Sequence, residues 1–499
     1  MTAWLIVVLL LGAGLMVFSG LRTSRKVKSL NDFFSFGEFS DPVHLQRAFT
    51  VTNASFTTSF VTLFFLGLTL GIVSFAIPLG FVLGILSYVF IFLPRQINHL
   101  ERDVRYPQLL GELTGSQKTR KIVSLFVVFS LFLFTFAEFQ GLQLFLSALL
   151  VSVPSVRELM PPLLVVLIAW YTARSGYRAI IGNDLIQFAL IIIGTVCIFL
   201  LWALSTYSIG ITKILDTSRQ LHATLHSSDI WKFIAQAGFG FVFSQLIYYD
   251  NWQRLTFYMG GRRLATSMED SRVVLKKVEK EIRNNYLIGA VYLLIIYAAP
   301  IIMSLQVLST GNATPSFETL AVYFQNAWSS THIVGISIGP FLVIGSILFM
   351  LSALVSTAEV YIVGLVNSVI EDILGYKHSD SKTESDQLDA LKKTRFVVAM
   401  SCLFLIPLLF VEPDFTKLFD FMFYSANGFV GPVLCALFGR SSTSWQVELS
   451  LVFGILYSLP GLLSLAHAEY FQIPGVVVVA ASILICLPMS KKARVEVRA

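Results

Sequence analysis

Charge is what this sequence has least of. Only 13% of its 499 residues are Asp, Glu, Lys or Arg, about half the share of a soluble globular chain. A chain this long has too little polar side chain to cover a globular surface, which excludes a cytosolic enzyme, a secreted module and a disordered scaffold. Cysteine is scarce too. Cys197, Cys402, Cys435 and Cys486 each lie inside an apolar run, so no disulfide framework is expected. The seven histidines fall in loops or at the ends of apolar runs, and His222 and His226 share helical spacing without a third ligand nearby. No His-Asp-Ser or His-Glu-x-x-His arrangement is present, so the chain is expected not to be an enzyme and to carry no cofactor. A repeated filter sequence is missing as well, which argues against a channel. The net charge of +6 implies no nucleic-acid partner, because membrane proteins collect Lys and Arg in their cytoplasmic loops.

What the chain does have is apolar length. Hydrophobic residues make up 55% of it, and its mean hydropathy is +0.74. Windows long or apolar enough to be read as membrane helices fall at 3–21, 48–73, 76–94, 122–150, 161–173, 179–204, 230–249, 286–307, 343–368, 396–411, 418–438, 447–466 and 470–488. The fifth of these thirteen segments is short. With the residues after the first segment placed in the cytoplasm, only Arg157, Lys213, Arg219, Lys232 and Lys417 of the 36 basic residues face outward. That alternation predicts an all-α integral membrane protein of about 13 transmembrane helices, with its N-terminus outside and its C-terminus cytoplasmic. Nothing basic precedes the first segment and no small-residue cleavage site follows it, so it is expected to be a retained helix. The stretches 250–285 and 371–395 are expected to be cytoplasmic loops, the latter a solvated linker, and 208–229 and 308–330 outer ones.

Polar residues inside these segments are the functional signal. Segment two holds Thr50, Thr52, Asn53, Ser55, Thr57, Thr58, Ser59 and Thr62, and segment seven is punctuated by Gln236, Gly238, Gly240, Ser244 and Gln245. Segments two and seven lie five spans apart, and an odd repeat of five inverts the second copy. Interrupted segments at matching places in inverted halves point to a transporter's central site; close helix packing through Gly and Thr is the competing explanation. Segment nine carries Ala353-x-x-Ser356-Thr357, three residues on one helical face. Two hydroxyls and the Ala353 carbonyl suit a small hard cation, while hydroxyls that bond back to their own helix are the plainer alternative. Thr57 and Ser356 both fall near the middle of a core of about 30 Å.

Five local motifs, in order, resemble the sodium/solute symporter family over nearly the whole chain. They are Ser29-Leu30-Asn31-Asp32-Phe33-Phe34 followed by Ala54-Ser55-Phe56; Tyr171-Thr172 with Gly176, Ala179 and Asp184-x-x-Gln187; Gln253-Arg254; Ala353-x-x-Ser356-Thr357; and Gly431-Pro432. Two positions depart from the family pattern: Ser175 stands in its Gly-Gly pair and Asn183 in place of Thr. The resemblance implies an inverted five-plus-five repeat core, the leucine-transporter-like fold, over segments two to eleven. The chain 1–499 would then be a single transporter domain. Its parts are an N-terminal helix and loop (1–47), the first half through the start of the second repeat (48–249), the rest of that repeat (250–438), and two C-terminal helices and tail (439–499).

The resemblance also implies a coupling sodium ion held by Ala353, Ser356 and Thr357 together with the carbonyls of Ala54 and Thr57, or of Ser55 and Thr58 if the register slips by one. Asp184 and Gln187 would lie on the ion's inward path, although a carboxylate at a helix N-terminus is the simpler account of Asp184. Substrate candidates are Glu138 and Gln140 (with Gln143) on segment four, Gln245 and Tyr248 (with Tyr249) on segment seven, and Tyr424 and Asn427 on segment eleven. A carboxylate near the interface is an alternative for Glu138, and packing for any single Tyr. The expected activity is sodium-coupled symport of a small polar solute by alternating access in the cell membrane. Sodium, the solute and lipid are the expected partners, with no obligate protein partner. The alternatives are a sodium-independent transporter of the same fold and a substrate-sensing receptor on a transporter core. Only eleven residues follow Pro488, which argues against an appended signalling domain.

Overall fold

The structure, a computed structural model, describes residues 2–24, 27–34, 43, 57–101, 104–150, 153–224, 226–265, 271–310, 316, 318–333, 336–376, 384–411, 415–463 and 474–486. Its helices are α1 (Thr2–Ser24), α2 (Leu30–Phe34), α3 (Thr57–Leu70), α4 (Ala76–Ser87), α5 (Leu93–Glu101), α6 (Tyr106–Thr114), α7 (Gln117–Leu149), α8 (Pro154–Ile209), α9 (Ile211–Thr224) and α10 (Ser227–Val242). There follow α11 (Ser244–Ile247), α12 (Tyr249–Ala265), α13 (Ser271–Ser309), α14 (Glu318–Ser330), α15 (Gly339–Asn367), α16 (Glu384–Leu408), α17 (Phe415–Ala426), α18 (Val430–Leu437), α19 (Ser444–Leu462) and α20 (Pro474–Cys486). A two-residue antiparallel hairpin, β1 (His332–Ile333) and β2 (Ile336–Ser337), precedes α15.

Six stretches of the described residues are long and apolar enough to cross a membrane: Ser59–Leu100, Gln117–Leu146, Pro154–Leu204, Ser227–Met259, Val273–Ser309 and Gly339–Ile373. α1 and α20 hold shorter apolar stretches. Large apolar side chains such as Leu11, Phe18, Phe341 and Leu484 stand fully outward on the helices. Such surface is tolerable only against hydrocarbon, which marks a multi-pass membrane protein. α15 is the exception, with 83% of its most apolar window buried inside the molecule. It is the central post, and its polar residues are therefore shared with protein, not lipid.

Several stretches expected to be loops are helical. α9 occupies most of 208–229, α14 lies within 308–330, and 250–285 contains α12 and the start of α13. α16 begins at Glu384, inside the stretch read as linker. Polarity shortened the apolar windows there without removing helix propensity. The fifth and sixth segments are likewise longer than their windows. α8 runs from Pro154 and is interrupted at the single residue Gly176, with φ 60° and ψ −151°. Only glycine fits there: the backbone is left-handed, and a Cβ would lie 2.4 Å from the Phe33 carbonyl oxygen of α2.

Other interruptions are local. α15 ends in a π-helical turn, Ser368–Ile373, which re-aims its last acidic residues. Segment seven is interrupted between α10 and α11 and again at Tyr248, which is extended (φ −72°, ψ 116°). Segment eleven breaks at a 3₁₀ turn, Asn427–Phe429, just ahead of the Gly431-Pro432 pair. Pro432 sits in the first turn of α18, where a missing N–H costs nothing. Gly431 serves close approach instead. Its N–H donates to Ser482 Oγ at 2.7 Å, and a Cβ would meet the Ser482 carbonyl oxygen at 1.9 Å.

Candidate functional site

The polar face of α15 organises the interior. Ala353, Ser356 and Thr357 are all completely buried. Thr357 Oγ1 donates to the Ala353 carbonyl at 3.0 Å, the back-bond that hydroxyls in helices commonly make. That bond uses the hydroxyl's proton, and the Ala353 carbonyl also accepts the helical N–H of Thr357. Ser356 Oγ has no hydrogen-bond partner among the described residues. Leaving such a hydroxyl dry and unpaired costs about 1–3 kcal/mol. Opposite this face stands α3, which meets α15 through Phe60 and Phe349 with ring centroids 5.5 Å apart. Thr57 opens α3, one turn before Phe60. Ala54 and Ser55 lie outside the described residues, as do the side chains of Thr57 and Thr58.

Half a turn beyond Thr357 is Glu359, a residue the sequence reading passed over. It is completely buried. Tyr171 Oη donates to its Oε2, and Gln187 Nε2 donates to its Oε1 at 2.7 Å. Both donors come from α8, on either side of the Gly176 break, so that break folds two motif residues onto one carboxylate. Asp184 lies beside them, 3.7 Å from an Arg254 guanidinium nitrogen on α12, and both side chains are buried. The carboxylate is therefore not a wet helix terminus; it belongs to the interior network. Glu359 had one available signal: it is the only carboxylate in the window 343–368.

The candidates on segment seven gather around its second break. Asn251 donates to Gln245 Oε1 at 2.8 Å, and the Trp252 indole donates to the Leu246 carbonyl at 2.6 Å, which together fasten the extended residue between them. Tyr248 is 8% exposed, and its hydroxyl has no hydrogen-bond partner among the described residues. It lines a small pocket walled also by Tyr106, Phe134, Asp250, Tyr361 and Phe429. Phe134 is the hub of that wall, with ring centroids 5.9 Å from Tyr248 and 5.4 Å from Tyr361.

Other candidates are placed differently. Asn427 is completely buried in the 3₁₀ turn of segment eleven, and both ends of its amide lack partners among the described residues. Tyr424 packs over Gly240 and Gly475, against which added Cβ atoms would lie 3.2 Å and 2.9 Å from its ring. Glu138 is buried one turn beyond Phe134 on α7. Gln140 donates to the Val411 carbonyl at 3.0 Å and so ties α7 to the end of α16. The structure thus brings Tyr248 to the small pocket and Asp184 and Gln187 to Glu359, while Gln140 and Tyr424 make contacts between helices.

At the far end of α15 is a second buried network. Glu371 and Asp372, presented by the π turn, pair with Arg105 and Arg120. Arg105 contacts Glu371 directly and reaches Asp372 at 4.0 Å; Arg120 bonds Asp372 at 2.9 Å. Arg105 also donates to Tyr249 Oη at 3.2 Å. One guanidinium thus links the loop before α6, the end of α15 and the first residue of α12. No sequence pattern could have announced this, because Arg105 and Glu371 are far apart in the chain and meet only in the fold.

No family model matches the sequence, and no curated protein matches it. Solved structures do match. A sodium-coupled sialic acid symporter, in a substrate-bound outward-open state, superposes with a TM-score of 0.70 at 15% identity over 98% of this chain and 98% of the other. Two mutant structures of a manganese transporter from Eremococcus coleocola each give a TM-score of 0.49 at 14% identity, over 92% of this chain and 98% of theirs. The chain shares the fold of that symporter over 98% of its length.

Proposed function

We propose that the chain is a sodium-coupled symporter of a small polar organic solute, working by alternating access. Its thirteen spans would comprise one helix, an inverted five-plus-five core and two further helices, with the N-terminus outside and the C-terminus in the cytoplasm of the cell membrane. Sodium sits between α3 and α15, held by the carbonyls of Ala54 and Thr57, the Ala353 carbonyl and the hydroxyls of Ser356 and Thr357. Asp184 and Gln187 line its way inward, beside Glu359. The solute occupies the space between the breaks of segments seven and eleven and the facing side of α7.

The observation that carries this reading is Ser356. Its hydroxyl is completely buried in the central helix, has no hydrogen-bond partner among the described residues, and adjoins Thr357 and Ala353 on the same helix. Three oxygens on one face, next to a hydroxyl-rich helix, suit an ion that takes oxygen ligands. The whole-chain fold likeness to a sodium-coupled symporter supports the same reading. Thermal unfolding of the purified protein tests it. Sodium should raise the melting temperature over equimolar potassium, because an ion that binds only the native state stabilises it. Ser356→Ala should raise the sodium concentration needed by about tenfold, the loss of one oxygen ligand at roughly 1.4 kcal/mol. Equal stabilisation by sodium and potassium would remove the coupling ion from the account.

A further inference from the structure

We infer that the way to the cytoplasm passes between α12 and α15, along a polar seam walled by Gln253 and Asn367 and held shut by Arg105. The inference rests on the transporter reading and its orientation, and it names the route and the latch of the inner side. Two separate observations lead to it. One is a pair of buried amides without partners; the other is an ion-pair cluster that spans the same two helices.

Gln253 and Asn367 are both completely buried. Neither end of either amide has a hydrogen-bond partner among the described residues. A buried amide left dry and unpaired is unfavourable, and a Leu or Met of similar volume would fill the space without that cost. Buried polar groups are met by water or by a ligand when protein does not meet them. The two residues belong to one seam. A Cβ on Gly364 would lie 3.0 Å from Gln253 Oε1 and 3.6 Å from the Tyr249 ring, so Gly364 lets α12 lie close against α15. Asn367 follows Gly364 by three residues and shares its helical face. The neighbouring Arg254 turns toward α8 and stands 3.7 Å from Asp184. α12 thus presents one polar residue to α15 and the next to the proposed inward path of the ion.

The seam ends at a clasp. One turn past Asn367, the π turn presents Glu371 to Arg105, and Arg105 also donates to Tyr249 Oη at 3.2 Å. Tyr249 opens α12, so one guanidinium ties the start of α12 to the end of α15. Arg120, from α7, anchors the same turn through Asp372 at 2.9 Å. The carboxylates fix Arg105 to α15, and the bond to Tyr249 is its tie to α12. When the two helices part, water reaches the amides of Gln253 and Asn367 and makes the hydrogen bonds that the closed state lacks. That gain offsets part of the cost of opening the clasp, which keeps both states within reach.

The test is accessibility to a small impermeant thiol reagent, methanethiosulfonate ethyltrimethylammonium, in sealed proteoliposomes of known orientation. The protein carries Asn367→Cys after its four native cysteines are replaced. Position 367 should react when the reagent is on the side of the C-terminus, and not from the other side. Ile362→Cys, buried on the opposite face of α15, should react from neither. Tyr249→Phe removes the bond to Arg105 and leaves the ion pairs in place, so it should speed labelling at position 367 by about tenfold or more, the worth of one hydrogen bond to a charged group. Gln253→Cys, on the facing helix, gives the same reading if the Asn367 variant does not fold. The inference is overturned by no reaction at either position, by reaction only from the opposite side, or by a rate that Tyr249→Phe leaves unchanged. Sodium should slow labelling if it favours the state open to the outside. Labelling that Tyr249→Phe speeds but sodium does not alter would refute sodium coupling and leave the route standing.

Discussion

At the scale of single residues, the account turns on Glu359 and Arg105. Glu359 is a buried carboxylate that accepts from Tyr171 and from Gln187 at 2.7 Å, half a turn beyond Thr357, which is proposed to hold sodium. At about 7 Å and an effective dielectric of about 20, its charge attracts a monovalent ion by roughly 2 kcal/mol. Glu359→Gln keeps the size and removes the charge, so the sodium concentration for half-maximal stabilisation should rise roughly thirtyfold. An unchanged sodium titration would place Glu359 outside the ion's field. Arg105 plays a different part. Its guanidinium is buried against Glu371, Asp372 and Tyr249. Arg105→Met fills similar volume but leaves Glu371 without its cation, and breaking a buried pair in this way costs about 3–5 kcal/mol. Unfolding of that variant in detergent should show a loss of this order. Glu371→Gln should lose less, because a neutral amide tolerates the missing charge.

At the scale of elements, the breaks matter more than the helices. Gly176 places Tyr171 and Gln187 on one carboxylate while sitting at φ 60° against the Phe33 carbonyl. Gly176→Ala should destabilise by at least about 1–3 kcal/mol through backbone strain alone, and the clash with α2 should add to it. The readout is chemical unfolding, and sodium affinity of the folded fraction should fall with it. Helix positions were legible in the sequence because apolar runs of membrane length have few other uses. The interruption of segment seven was legible too, from Gln236, Ser244 and Gln245. Helix outside those runs was not: α9, α14 and the start of α16 are polar enough to read as loop. The site was legible where its residues are local in sequence, as in Ala353-x-x-Ser356-Thr357 and Asp184-x-x-Gln187. It was illegible where pairing is distant, as for Arg105 with Glu371, and where one acidic residue stood alone in an apolar run, as Glu359 does. The Gly431-Pro432 pair looked like a break and proved to be a helix start packed against Ser482.

At the scale of the whole molecule, the scarcity of charge acquires a meaning. Among the described residues, most buried charges collect in two places. One is a matched cluster at the end of α15; the other surrounds Asp184, Arg254 and Glu359. In a symporter, coupling follows when the ion and the solute stabilise the same conformation. The central claim is that solute movement is driven by sodium. The measurement that tests it most directly is uptake, into proteoliposomes with the membrane potential clamped at zero, of a solute that stabilises the purified protein. An inward sodium gradient should drive transient accumulation above the outside concentration, and an equal potassium gradient should not. Identical uptake under the two gradients would contradict the account.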